Sequence, residues 1–138
     1  MSHFSVAVFT DDSTSVEDLL DRYDENLIVD RYMCYTKKEL IQQGKQEIDR
    51  LKRMYKEYRK DKRKYRNKYN ENIKHLRFIK KVPSMLKWSD ERIYKFATRF
   101  YSEDELDKEG NAYSTYNPDS KWDWYEIGRK MEKYAYSK

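Results

Sequence analysis

Cysteine occurs once in these 138 residues, proline twice and glycine three times. The lone Cys34 excludes an intramolecular disulfide framework and any cysteine-rich zinc site. With so little glycine, neither a phosphate-cradling P-loop nor a dinucleotide-binding turn can be built. The two histidines, His3 and His75, stand far apart, with no HExxH motif and no His/Cys cluster around them, so each reads as structural. No serine lies in a nucleophile-elbow setting. No apolar run approaches the ~20 residues needed to cross a bilayer, and the N-terminus has no basic stretch leading into an apolar one. The expectation is an intracellular, soluble chain with no membrane contact, no metal and no cofactor.

What the chain does have is charge and tyrosine. Charged residues make up 40% of it and mean hydropathy is −1.23, values extreme for a compact enzyme. Yet 16% is aromatic, with 14 Tyr and three Trp, whereas disordered chains are poor in aromatics. A small, aromatic-rich core follows. Charge is also segregated. From Lys45 to Lys81 there are 16 Lys/Arg against five Asp/Glu, a local +11 that leaves −6 for the rest of a chain whose total is +5. A basic segment of this kind suits a polyanion or an acidic protein groove.

Patterning gives an α+β protein, mostly α. It is read as a single domain over 1–138, with an acidic β/α part (1–35), a long basic helix (36–82) and a helical, aromatic C-terminal part (83–138). Phe4–Phe9 is rich in strand formers, Ser15 caps a short helix through Tyr23, and Leu27–Tyr35 reads as a second strand. Thr36 and Glu39 form a capping box that opens the long helix. Its apolar positions Ile41, Ile48, Leu51, Tyr55, Tyr58, Tyr65, Tyr69, Leu76 and Ile79 follow a heptad spacing, with Gly44, Lys62 and Asn72 in the missing slots. That seam suits a coiled-coil dimer, an internal hairpin or a partner helix. Uninterrupted, the helix would run roughly 70 Å. Because the seam fails near its middle, a break near Asp61 or Asn70 is favoured. Beyond Pro83, Ser89 caps a further helix with Ile93, Phe96, Ala97 and Phe100 at amphipathic spacing. Asp119 and Asp123 fall where another helix would start.

The basic helix is the candidate site. Lys52, Arg53, Lys56, Arg59, Lys60, Arg63, Lys64, Arg66 and Lys68 can neutralise phosphates while Tyr55, Tyr58, Tyr65 and Tyr69 stack on unpaired bases. The same face could instead dock on acidic protein, or its cations could simply solvate a helix whose tyrosines pack inward. Trp122, Trp124 and Tyr125 form an aromatic knot that serves either as a core staple or as an interface anchor. The carboxylate pairs Asp11/Asp12, Asp24/Glu25 and Asp119/Asp123 admit a small metal-dependent nuclease, but they read more simply as turn and cap residues.

The block Tyr113-Ser114-Thr115-Tyr116-Asn117-Pro118-Asp119-Ser120-Lys121-Trp122-Asp123-Trp124-Tyr125-Glu126-Ile127-Gly128 resembles a signature of small bacteriophage and prophage proteins. Met1-Ser2-His3-Phe4-Ser5-Val6, Tyr23-Asp24-Glu25-Asn26 and Lys87-Trp88-Ser89-Asp90-Glu91 are similar to other blocks of the same family. The likeness departs after Gly128, where Arg129-Lys130-Met131 reads as a helical basic tail in place of further strands. The resemblance implies phage origin and the cytoplasm of a bacterial host. By analogy with other small, charged phage proteins, it implies a non-enzymatic inhibitor of a host nucleoprotein defence complex of the CRISPR type, with RNA in the contact. The alternative is a stand-alone RNA- or DNA-binding accessory protein.

Overall fold

The computed structural model describes residues 5–128. Their contacts cluster into two compact units, Tyr32–Ser114 on the one hand and residues 5–31 with 115–128 on the other.

The larger unit is built on helix α2, Lys37–Lys60; α1, Val16–Asp21, belongs to the other unit. The predicted capping box forms: Thr36 Oγ1 accepts from the Glu39 N–H at 3.2 Å, and the Glu39 carboxylate accepts from the Thr36 N–H at 2.7 Å. A third donor of that first turn, the Lys37 N–H, is met by Asn111 Oδ1 at 3.0 Å. Leu40, Gly44, Ile48, Leu51 and Tyr58 form the buried face of α2, and each large apolar side chain there contributes about 1.5–3 kcal/mol.

The long basic segment breaks at both sites favoured from the sequence. Asp61 closes α2 by donating its N–H to Glu57 O, and its side chain opens α3, Lys62–Lys68, by accepting from the Lys64 N–H at 2.9 Å. One extended residue that caps two helices replaces the missing proline or glycine. The second break is a Schellman turn. The Glu71 N–H reaches Arg66 O at 2.8 Å and the Asn70 N–H reaches Asn67 O at 3.2 Å, with Asn70 and Glu71 both left-handed at φ 48° and 53°. Asn72 then caps α4, Ile73–Lys80, through the His75 N–H. The Tyr65 hydroxyl and His75 Nε2 share a 2.8 Å hydrogen bond, and the Tyr69 and His75 rings stack at 4.3 Å.

The heptad seam is therefore covered by the chain itself. Ile48, Leu51, Tyr58 and Tyr65 are buried in one cluster with Ile79 of α4, Val82 and Met85 of α5 (Val82–Met85), and Ile93 and Phe96 of α6 (Asp90–Ala97). Pro83 lies in the first turn of α5, where an absent N–H costs no helical bond. Phe100, expected on the apolar face of the helix capped by Ser89, lies past the end of α6 and is 84% exposed.

Among the described residues the fold is mostly helical with one small antiparallel sheet, as expected, and one of its two strands belongs to the N-terminal part. Residues 5–9 of the expected first strand form no strand: Val6 and Phe9 face solvent, and no described segment pairs with them. The second strand shortens to β1, Tyr32–Tyr35, which pairs with β2, Ala112–Ser114. A bulge falls at Cys34, whose Sγ donates to Ala112 O at 3.2 Å.

The smaller unit joins distant segments by backbone bonds: Lys121 N–H to Tyr23 O, Glu25 N–H to Trp122 O and Val29 N–H to Thr115 O. Helix α1 stops at Asp21, two residues short of Tyr23. No helix starts at Asp119 or Asp123 within the described residues. Asn117 Oδ1 takes the Asp119 N–H instead, closing a turn around Pro118. The predicted tail at Arg129-Lys130-Met131 and the expected role of His3 lie outside the described residues.

Candidate functional site

The helix that carries the candidate residues has two faces of opposite character. Lys52, Arg53, Lys56, Arg59 and Lys60 of α2 are all exposed. At about 100° per residue, these five fall within an arc of about 120° outside the buried seam. Arg63, Lys64 and Arg66 of α3 are exposed as well. None of these eight forms an ion pair among the described residues. Lys68 is different: its ammonium reaches Glu57 Oε1 at 2.8 Å, and that carboxylate raises the lysine pKa.

The Glu57–Lys68 contact also defines the bend. Eleven residues of straight helix would separate them by about 16 Å along the axis, beyond reach of the two side chains. Asp61 therefore turns α3 back on α2, and the Tyr58 and Tyr65 rings meet edge to face at 5.6 Å.

The tyrosines belong to the other face. Tyr58 and Tyr65 are 5% and 1% exposed, and Tyr55 and Tyr69 are half-buried. Burial raises the pKa of the Tyr65 phenol. These rings pack on one another and on His75, so the expected stacking on nucleic-acid bases by Tyr58 and Tyr65 does not hold. The same three- and four-residue spacing that made them look like a stacking ladder is that of a core stripe.

At the bend, an open groove of about 480 Å³ is lined by Lys62, Arg63, Arg66, Asn67 and Glu71. The heptad spacing places Lys62 on the seam. The structure puts it on the groove, its ammonium 5.9 Å from the Tyr58 ring centre. Its membership in the unbroken cationic run Lys62-Arg63-Lys64 was the available signal. Asn67 and Glu71 had none, because only the Schellman turn brings them there.

The aromatic knot divides. Trp122 is half-buried, edge-on to Tyr23 at 5.7 Å and to Tyr125 at 5.5 Å, whereas Trp124 is 55% exposed. The polar centre of this unit is Asn117, 2% exposed, whose Nδ2 donates to Arg22 O and Asp24 O. Over 5–31 and 115–128 there are 11 Asp/Glu against three Lys/Arg, a net −8.

The carboxylate pairs resolve into local partners. Asp11 caps Ser13, Asp24 caps Asn26, Asp123 takes the Trp124 N–H and Asp119 lies 3.7 Å from Arg22. Among the described residues, no three His, Cys, Asp or Glu side chains converge on a possible metal position. No described helix is long and apolar enough to cross a membrane. Comparison with protein-family models, curated proteins and solved structures finds no match to this chain.

Proposed function

We propose that this chain is a non-enzymatic binding protein that holds the phosphates of a nucleoprotein complex on the outer face of α2 and α3. The observation that carries this reading is the separation of roles on one helix. Exposed cations without ion pairs occupy one side, and the tyrosines that fix the helix occupy the other. Holding so many like charges together costs self-repulsion, which a polyanionic partner relieves. The likeness of several sequence blocks to phage proteins supports a setting in which the bound complex is a host defence assembly of the CRISPR type and the outcome is inhibition.

The test is charge reversal. Arg59, Arg63 and Arg66 are exposed and make no ion pair among the described residues, so R59E/R63E/R66E should keep its melting temperature. Nucleic acid should co-purify with the parent protein at moderate salt and be absent from the triple variant. A parent protein free of nucleic acid, with no salt-sensitive binding to any added strand, would reject the reading and point to an acidic protein target.

A further inference from the structure

We infer that the preferred ligand of this face is double-stranded nucleic acid. The inference rests on the phosphate-binding reading and narrows it. Proteins that grip unpaired strands draw on aromatic side chains, each stacked base adding about 1–3 kcal/mol. Here α2 and α3 offer no exposed aromatic: Tyr55 is half-buried, while Tyr58 and Tyr65 are enclosed. The aromatic stacking that favours single strands is reduced here to what the half-buried Tyr55 and Tyr69 leave accessible.

What remains is charge, and charge favours the denser polyanion. A duplex carries one phosphate per about 1.7 Å of axis, so each cation that docks releases more condensed counterion than it would on one strand. The groove at the bend repeats this chemistry, with Lys62, Arg63 and Arg66 beside Asn67, and with Glu71 as its one carboxylate. It has no ring on which to lay a base. Recognition is then of backbone and shape, independent of sequence.

The experiment uses the full chain and a fluorescent DNA duplex of about 20 base pairs, compared at equal phosphate concentration with one of its strands, over a range of salt. Tighter binding of the duplex by tenfold or more supports the inference. So does a log–log salt slope near −5 for the duplex, the value for about six phosphates. R59E/R63E/R66E should lose at least tenfold on the duplex. Equal or tighter binding of the single strand would overturn the inference and leave the phosphate-binding reading standing. Binding to neither would overturn both.

Discussion

Gly44 on α2 approaches Ile93 on α6 so closely that a β-carbon at Gly44 would lie 2.6 Å from Ile93 Cγ2 and 3.1 Å from its carbonyl oxygen. The crossing of these helices is therefore set by one of the chain's three glycines. Gly44→Ala gains about 1 kcal/mol of helix propensity. It also forces apart a β-branched side chain with little rotamer freedom and a backbone carbonyl, at about 2–3 kcal/mol. Urea denaturation should show a net loss of about 1–2 kcal/mol. Ile93→Leu, which removes the offending branch, should recover part of that loss in the double variant.

Glu71 is a non-glycine residue held in the left-handed region, a conformation that costs an L-residue about 1–2 kcal/mol. Glu71→Gly removes this strain but adds entropy to the unfolded chain, so the net gain should be about 0.5–1 kcal/mol. A lower melting temperature would count against the Schellman geometry.

Acid should loosen the start of α2. The two hydrogen bonds from Thr36, first that of its backbone N–H, hold the Glu39 carboxyl below its ordinary value of 4.5. A depressed folded-state pKa gives stability that is present above the ordinary value and lost as pH falls through it. Titrating stability below about pH 5 should therefore reveal a decline that is shallower in Glu39→Gln.

Alkali acts on Tyr65 in the opposite sense. Burial raises its pKa above the ordinary 10.0, so the unfolded chain releases this proton first. The stabilisation is complete below pH 10 and falls as pH rises beyond it. Tyr65→Phe should flatten the alkaline part of the curve. At neutral pH the same variant loses the bond to His75, at about 1 kcal/mol.

The readable parts of this fold are those whose cause is local. The Thr36/Glu39 box, the breaks at Asp61 and Asn70, and the helix beginning after Ser89 are each determined by side chains a few residues from the backbone groups they satisfy. The strand expected at Phe4–Phe9 had suitable residues but finds no partner among the described residues, and a strand exists only through its neighbour. The partner of Tyr32–Tyr35 is Ala112–Ser114, far downstream and only three residues long, too short to announce itself. Asn117 is the buried polar centre of its unit, because its partners are carbonyls of Arg22 and Asp24, far from it in sequence.

The sequence by itself determined the segregation of charge, the mostly helical class and the places where the basic segment would break, since composition and capping act over a few residues. Only the tertiary structure decided which face of that segment is free. Its tyrosine spacing is the same whether the rings meet bases or a core, and α4, α5 and α6 settled the matter by covering them. Burial depends on what packs opposite, and what packs opposite α2 comes from residues far along the chain.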